Sequence, residues 1–529
     1  MIVGPIVKGA TQFAHKQNTK NLESESHQAI QQRVLKDILS YSKQTEFGKD
    51  HNFQNFYKSN QLENYFAKSV PIFQYDYMYK KYWHKTLNGV SDVSWPGKIS
   101  NFALTSGTTN ASSKRIPVSD EMVKSIRKTC MRQLSSLSEL KLPVSFFEKE
   151  VLFVGGSTNL TKVNTQFEGD LSGILTGKVP SWLNPFTKPS KKIRAIADWD
   201  EKLNRIVDMA PKWDIGIICG VPSWVQILIN KILDRYQLNS IFEIWPNIRF
   251  YIHGGVQFDP YINSFNRLFN EKVIYLDTYL ASEGFFGYQS STSTQLKLNI
   301  KDGTYYEFIP FNLDHFDKDG NLREYNSALT ISEVKENTTY ALLITTNSGA
   351  FRYLLGDTIQ FTNLKDLSFK ITGRTKHFLS LCGEHLSVDN MTEAISSIAY
   401  EKNLRIDEFA VVGGTFEDGN FYHKWYIASN SPINSVSLKH ELDEKLCELN
   451  ADYKVERLFT LKLMEIEVLP TSVFYDFLKL IDKYGSQHKF PRVLKGQLAL
   501  DWERYIAIIE EENAKMAVKW QSEIKKKES

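Results

Sequence analysis

The sequence predicts an α/β fold with a large N-terminal domain and a smaller, mobile α+β C-terminal domain. Buried strands alternate with helical patterns up to about residue 300, shorter strands with turns follow, and a compact mixed run begins after Gly373. Strands that alternate with helices are typical of an α/β sheet with helices on both faces. With 529 residues, the chain is also too long for a single core and requires two or more domains.

Composition excludes several classes of protein. The formal net charge is only +3 and no long basic run precedes residue 520, so we expect no nucleic acid as a partner. Four cysteines lie far apart, which argues against a zinc site or a disulfide framework and fits a reducing cytoplasm. No apolar stretch approaches 18 residues, and the N-terminal apolar run is short for a signal peptide, so we expect no membrane span.

The first elements follow from the hydrophobic pattern. Apolar residues at helical spacing predict a helix over residues 20–45, and Ser100 to Leu104 predicts a short strand. Ser119 is placed to cap the next helix, which has two acids in its first turn. Buried strands then recur near residues 151, 216, 245 and 273. Ligands of such sheets bind beyond the carboxyl ends of the strands, so the loops that end these strands are expected to share one rim.

The pattern of predicted elements changes in the second half of the sequence. Short strands separated by turns between about residue 300 and Gly373 predict a small, β-barrel-like subdomain. A compact α+β unit of plausible domain size follows. Its predicted strands lie near 408–413, 421–429 and 456–467, and its predicted helices at 435–449 and 471–484. We therefore expect a large domain over residues 1–373 and a small one over 374–529, with a hinge near 374–377 and Lys376 as the pivot.

The stretch from Leu104 to Pro117 has the parts of a triphosphate-binding loop. Its glycine allows close approach of the main chain, successive N–H groups can form an anion site, and Lys114 adds a mobile positive charge. The stretch is not a Walker loop, because no glycine precedes the lysine, and a polar surface turn remains the alternative. The loop residues expected to contact phosphate are Thr105, Ser106, Gly107, Thr108 and Thr109.

Two carboxylates stand at the ends of predicted strands. Glu283 lies in the run Tyr279-Leu-Ala-Ser-Glu-Gly, where a carboxylate can hold magnesium together with ATP phosphates. Asp357 follows a glycine and can accept hydrogen bonds from both ribose hydroxyls. The alternatives are a turn glutamate that faces water and an ordinary hairpin turn.

Two cations complete the set of candidates. Arg374, in the interdomain run Gly-Arg-Thr-Lys, can pair with phosphate or ribose, and a charged linker is the alternative. Lys489 lies in a loop of the small domain, where it is otherwise a solvated surface lysine. If the small domain closed, Lys489 would reach the α-phosphate and stabilise the charge that develops as pyrophosphate leaves.

In this order and at these spacings, the segments resemble one family. The chain is similar to the auxin-responsive acyl acid amido synthetases, the GH-three family, within the superfamily of acyl-CoA synthetases, adenylation domains and firefly luciferase. The likeness rests on Ser106 to Lys114, Tyr279 to Glu283 and Arg352 to Asp357, and further short matches span nearly the whole chain. The N-terminus and the acyl region depart from the plant members, which leaves auxin or jasmonate in doubt as the substrate.

The resemblance implies a magnesium- and ATP-dependent ligase. Such an enzyme adenylates a small carboxylic acid and passes the acyl group to an amine, usually of an amino acid. Carried over by position, Lys114, Glu283 and Lys489 are catalytic, with Glu283 at the metal, and the nucleotide also contacts Tyr279, Ser282, Asp357 and Arg374. We expect an acyl pocket at Phe153, Trp224 and Phe285, which suit an aryl or alkyl acid. Transfer to coenzyme A, or nucleotide binding without turnover, stay open as alternatives.

Overall fold

The structure is a computed structural model of the chain, and it describes most of the sequence. In these parts, no helix combines the length and the hydropathy that crossing a bilayer requires. The described residues are 3–20, 25–56, 59, 61–105, 114–256, 258, 261–269, 273–317, 320–323, 328–375, 378, 379, 381, 384, 386–416, 421–450, 453, 454, 456, 457, 461–484 and 489–511.

Helices surround the sheets along the chain. The helices before residue 300 are α1 (Val3–Lys20), α2 (His27–Ser42), α3 (Glu46–Asp50), α4 (Phe53–Phe56), α5 (Leu62–Ser69), α6 (Tyr75–Met78), α7 (His84–Leu87), α8 (Asp120–Ser136), α9 (Leu171–Gly177), α10 (Lys191–Arg194), α11 (Trp199–Met209), α12 (Pro222–Tyr236) and α13 (Ile262–Leu268). Those of the C-terminal part are α14 (Val388–Glu401), α15 (Ser435–Leu449) and α16 (Thr471–Leu480). A further helix spans residues 497–511.

The strands are numbered in chain order. The strands of the first 300 residues are β1 (Asn101–Leu104), β2 (Arg115–Val118), β3 (Glu150–Val154), β4 (Thr161–Val163), β5 (Gln166–Gly169), β6 (Thr187–Lys188), β7 (Ile215–Gly220), β8 (Phe250–Gly254), β9 (Ile274–Ala281), β10 (Gly284–Tyr288) and β11 (Leu296–Leu298). The remaining strands are β12 (Thr304–Pro310), β13 (Thr339–Thr346), β14 (Tyr353–Asn363), β15 (Ser368–Arg374), β16 (Phe378–Leu379), β17 (Leu386–Ser387), β18 (Glu408–Thr415), β19 (Phe421–Ala428), β20 (Leu461–Leu469) and β21 (Val493–Leu494).

One eleven-stranded sheet organises the larger part, in the order β12-β13-β14-β15-β11-β10-β9-β8-β7-β3-β6. The strands from β6 to β9 run parallel, whereas every neighbouring pair from β9 to β12 is antiparallel. The expected antiparallel strands after residue 300 are present. β10 and β11 join them edge to edge to the parallel strands.

The parallel strands end at one rim, as the sequence predicted. The loops after β3, β7 and β8 begin at Gly155, Val221 and Gly255, and the turn after β9 contains Glu283; all of them line the same cleft. Smaller strands β2, β1, β5 and β4 form a second sheet beside this rim.

One helix start matches the sequence prediction, a second lies later than expected, and the N-terminal helix was missed. The helix expected over residues 20–45 is α2 (His27–Ser42), which begins seven residues later, and its apolar face is buried. α8 begins where expected, and Ser119 Oγ accepts a hydrogen bond from Met122 N at 2.9 Å. Residues 3–20 form α1, which the hydrophobic pattern did not reveal, because this helix contributes little to a buried core.

The C-terminal part has its own four-stranded sheet, in the order β20-β19-β18-β21. One face of this sheet packs against α14 and α15, and the other face packs against α16 and the helix over residues 497–511. Its elements lie within a few residues of their predicted positions. The division into domains at residue 374 stays a prediction, and Lys376 lies outside the described residues.

A buried ion pair ties the N-terminal helices to the main sheet. Arg352 is fully buried, and its Nε donates to both carboxylate oxygens of Glu307 on β12, at 3.0 and 3.1 Å. Its Nη1 donates to the carbonyl oxygens of Ala67 and Val70 at the end of α5. One guanidinium therefore satisfies a buried carboxylate and two buried carbonyls.

Arg352→Met tests this tie. The substitution leaves the Glu307 carboxylate buried without its partner, so we expect a loss of about 3–5 kcal/mol in the free energy of unfolding, measured with urea. The double variant Arg352→Met with Glu307→Gln serves as the control and is expected to lose less, because it also removes the buried charge. A double variant that is no more stable than Arg352→Met would contradict this account.

Candidate active site

A cleft of about 2860 Å³ opens at the rim where the parallel strands end. Its volume is several times the roughly 300–1,000 Å³ of common ligand sites. The loops of β3, β7, β8 and β9 form one side, β14 and β15 contribute a second, and residues 489–498 of the C-terminal part also line it. Within the described residues, no group of three or more His, Cys, Asp or Glu could hold a metal ion by itself.

Lys114 stands at the base of the predicted phosphate loop. β1 and β2 pair as an antiparallel hairpin, and Thr105 N donates to Lys114 O at 3.0 Å, which closes the base of the loop. Lys114 Nζ lies 5.2 Å from the ring centre of Tyr75, a cation–π distance. Both ends of the loop therefore face the cleft. Its predicted phosphate ligands Ser106, Gly107, Thr108 and Thr109 lie outside the described residues.

Glu283 sits in a two-residue turn at the edge of the cleft. Ala281 of β9 pairs with Gly284 of β10, so only Ser282 and Glu283 connect the two strands. The Glu283 side chain is largely withdrawn from solvent, with 8% of the residue exposed. Burial, and to a smaller degree repulsion from Asp357, raises the pKa of Glu283 to about 7. The position therefore favours a bound cation, which would restore the charged carboxylate.

Asp357 on β14 is held by Arg374 on the adjacent strand β15 and by Tyr279 on β9. Tyr279 OH donates to Asp357 Oδ2 at 2.6 Å, and Arg374 Nε lies 2.8 Å from Asp357 Oδ1. Asp357 and Arg374 face each other in the register of β14 and β15. Each carboxylate oxygen keeps a further lone pair. The predicted ribose ligand is thus oriented at the cleft wall and retains acceptor capacity for hydroxyl groups.

Lys489 reaches the cleft from the C-terminal part. Its Nζ donates to the carbonyl oxygen of Gly255, in the loop after β8. Gly255 has φ +86°, and a Cβ there would come within 2.8 Å of Lys489 Nζ, so only glycine leaves room for the lysine. Burial lowers the pKa of Lys489 to about 8, with Asp357 opposing this shift and Arg374 adding to it.

Most of the predicted site residues meet in this cleft, and one does not. Trp224 is only 1% exposed and packs edge-to-face against Trp199 and Tyr484 in the core behind the sheet, so its position does not match an acyl-pocket residue. The predicted residues that do line the cleft are Thr105, Lys114, Phe153, Tyr279, Ser282, Glu283, Phe285, Asp357, Arg374 and Lys489.

Sequence reasoning missed His253, the last side chain before the paired glycines that follow β8. It is 4% exposed, stacks on Phe258 at 4.1 Å and lies at the cleft. Burial lowers the pKa of His253 to about 3, so the ring is neutral. Its Nδ1 accepts no hydrogen bond from the described residues and lies 3.4 Å from Asp277 Oδ1. The feature of the sequence that could have identified His253 is its position directly before two glycines at a strand end.

Comparison with protein families identifies matches over more than half of the chain. The GH3 family N-terminal domain matches residues 18–194, the GH3 family central domain residues 298–374, and the GH3 family C-terminal domain residues 389–497.

Curated relatives and solved structures agree with these matches. The 4-substituted benzoates-glutamate ligase GH3.12 of Arabidopsis thaliana is 21% identical over 92% of this chain and 95% of its own. The indole-3-acetic acid-amido synthetase GH3.3 of Arabidopsis thaliana is 22% identical over 88% and 89%. The GH3.15 acyl acid amido synthetase structure has a TM-score of 0.72 at 17% identity, covering 90% of this chain and 93% of that one. A 2-hydroxyisobutyryl-CoA ligase in the postadenylation state reaches 0.58 at 13% identity, covering 92% and 91%.

The raised pKa of Glu283 predicts a stability that depends on pH. The folded chain binds the Glu283 proton more tightly than the unfolded chain, so the stabilisation is complete below about pH 4.5 and is lost as the pH rises through about 7. Glu283→Gln avoids the buried charge, so at pH 8 we expect it to be more stable than wild type by up to about 3 kcal/mol. At pH 4.5 the two should be equally stable.

Urea unfolding of both proteins between pH 4.5 and 8.5 measures this difference. Glu444→Gln, at an exposed position on α15, is the matched control and is expected to show no such trend. A stability difference for Glu283→Gln that is the same at both ends of the pH range would contradict the assignment.

Proposed function

Because the chain belongs to the GH3 family, we propose that it is an ATP-dependent acyl acid amido synthetase. The carboxylate oxygen of an acid would attack the α-phosphorus of ATP, and the bond to the β-phosphate would break to release pyrophosphate. The nitrogen of an amine would then attack the acyl carbon, and AMP would leave as the amide forms. The observation that carries this proposal is the convergence of Lys114, Glu283, Asp357 and Lys489, widely separated in the sequence, on one cleft.

The charges of the cleft suit a nucleotide triphosphate. Lys114, Arg374 and Lys489 provide three cations against the carboxylates of Glu283 and Asp357, so positive charge exceeds negative among these five side chains. We propose that Asp357, held between Tyr279 and Arg374, accepts the ribose hydroxyls. Lys114 and the loop that it closes would contact the phosphates. Ser282, next to Glu283 in the turn, would contact the adenylate.

Lys489 is proposed as the group that acts on the α-phosphate. Its ammonium charge would stabilise the negative charge that develops on the phosphate oxygens as pyrophosphate departs. A main-chain carbonyl, Gly255 O, holds the ammonium group in this structure. Such a contact can be exchanged for a phosphate oxygen without leaving a buried charge unpaired, so it leaves the lysine available.

Magnesium is the metal that the family implies, and Glu283 fits it. The carboxylate is buried at the wall of the cleft. Magnesium is commonly bound by one or two carboxylates and completed by substrate phosphates. Glu283 and the phosphates would hold the ion, which would supply charge neutralisation during displacement of pyrophosphate.

The second half-reaction needs an acceptor and a rearranged cleft. The names of the two curated relatives describe ligation of benzoates to glutamate and amido synthesis from indole-3-acetic acid. These relatives support an amino acid as the acceptor here. We propose that the small domain, residues 374–529, turns about the hinge near residues 374–377 between the two half-reactions, with Lys376 as the pivot.

Lys489→Ala tests the first half-reaction. Loss of the cation from the transition state is expected to lower acid-dependent ATP–pyrophosphate exchange by about 100- to 1,000-fold. In the wild-type enzyme, exchange should also decline above about pH 8, where Lys489 loses its charge. Lys479→Ala, on the exposed side of α16, is the control and should retain full exchange. Full exchange in Lys489→Ala would reject the role of this lysine.

The chemical identity of the products shows which acceptor receives the acyl group. With an acid that supports exchange, ATP, mixed amino acids and coenzyme A, we expect mass spectrometry to show an N-acyl amino acid and AMP. A thioester without any amide would reject amide transfer in favour of a coenzyme A ligase. ATP binding without any adenylate from a broad acid panel would instead identify a nucleotide-binding protein without turnover.

A further inference from the structure

The two faces of the parallel strands are covered unequally. Leu152 and Val154 of β3 point into the closed core beneath α11 and α12. The alternate side chains of the same strand, with their neighbours in register on β7 and β8, face the cleft, and most of them are only partly buried. This apolar floor consists of Val151, Phe153, Ile217, Cys219 and Ile252.

Helices supply apolar walls to this floor. Ile126, Cys130 and Leu134 recur every fourth residue on α8 and therefore share one face, which borders the cleft. On α1, residues 6, 10 and 14 have the same spacing and also border it. Ile6 is 63% exposed, so this face of α1 is not covered by other described residues. A third wall comes from Leu171, Leu175, Leu183 and Phe186.

α1 packs against α8 and the segment that follows it, and polar contacts fasten it to that segment. These contacts include Gly4 N to Glu148 Oε1 at 3.2 Å, Lys8 Nζ to Leu142 O at 2.9 Å, and His15 Nε2 to Glu139 Oε1 at 2.8 Å. The match to the GH3 N-terminal domain begins at residue 18, so nearly all of α1 lies outside it.

Two polar side chains at these walls are bonded to the protein itself. Gln133 Nε2 donates to the carbonyl oxygens of Asp277 and Gln289, and Thr176 Oγ1 donates to Ser172 O. The surface that these walls offer is mainly apolar. Since the cleft is several times larger than an ordinary site, a nucleotide and a small aryl acid would leave much of this surface exposed to water.

We propose that this floor and its walls form an acyl chamber for a long, unbranched aliphatic carboxylic acid, with α1 as the wall that limits chain length. The assignment rests on the proposed function, since the carboxyl group of the acid must meet the nucleotide at the charged end of the cleft. An extended aliphatic chain makes contact along the whole chamber and requires no polar partner within it.

A series of saturated acids from acetate to hexadecanoate tests the chamber. In ATP–pyrophosphate exchange we expect kcat/KM to rise about three- to fourfold for each added methylene until the chamber is filled. Benzoate and indole-3-acetate are expected to be poorer substrates than dodecanoate. Equal or higher kcat/KM for these aryl acids, or no gain with chain length, would overturn the chamber and leave the proposed function intact.

Two substitutions on α1 test whether this helix limits the length of the acyl chain that binds. Ala10→Phe and Ala14→Phe fill space on the face of α1 that borders the chamber. Each should lower the ratio of kcat/KM for dodecanoate to that for hexanoate at least tenfold. Gln12→Phe places the same ring on the exposed face of α1 and should leave the ratio unchanged. An unchanged ratio in both wall variants, with helical content preserved by circular dichroism, would overturn the role of α1.

Calorimetric binding of dodecanoate to the full chain separates the two proposals. Binding that Ala14→Phe weakens, without exchange for any acid, would support the chamber and overturn adenylation. Exchange with acids of any kind, but no dodecanoate binding, would overturn the chamber alone. If dodecanoate does not bind and no acid supports exchange, both the chamber and the proposed function are overturned.

Discussion

The hairpin between β9 and β10 is the connection on which the site depends. At this point the main sheet changes from parallel to antiparallel pairing. The parallel strands contribute the rim loops, including the Gly255 carbonyl that holds Lys489. The antiparallel strands contribute Asp357 and Arg374. A two-residue turn with Glu283 at its tip therefore joins the strands that carry the two groups of cleft residues.

Burying these charged groups costs free energy in the folded chain when no ligand is bound. Burial shifts the pKa of Glu283 upwards and the pKa of Lys489 downwards, so each group is held in surroundings that disfavour its charged form. A polyphosphate with its counter-ion would reverse both effects, because it brings opposite charge to each group. The cleft is therefore organised for a charged ligand before that ligand binds, as expected for an active site rather than a structural ion-pair network.

The local sequence pattern was sufficient to predict those features of the structure that a single segment determines. Strand ends followed by glycine or a carboxylate correctly placed Glu283 and the rim, because parallel strands must end together. Asp357 also lines the cleft, but it lies within the antiparallel strand β14 and not at a strand end as expected. Long-range pairing could not be read in this way: nothing within β10 or β11 indicates that they join the later strands to the same sheet. Trp224 is a residue type that is common in apolar pockets, but its side chain lies on a face of α12 that packs into the core, so it is buried. His253 was missed because one histidine carries no periodic signal.

In the proposed function, chemistry and substrate selection reside on different kinds of element. Glu283 lies in a tight turn and Asp357 within β14, and hydrogen bonding in the sheet fixes the position of both. The apolar walls lie largely on helix faces, among them that of α1. Substitutions on such a face alter the space offered to an acyl group without disturbing the sheet. In the proposed enzyme, the adenylation chemistry would therefore be retained while the acid it accepts changes, because the residues proposed to select the acid are not those proposed to hold the nucleotide.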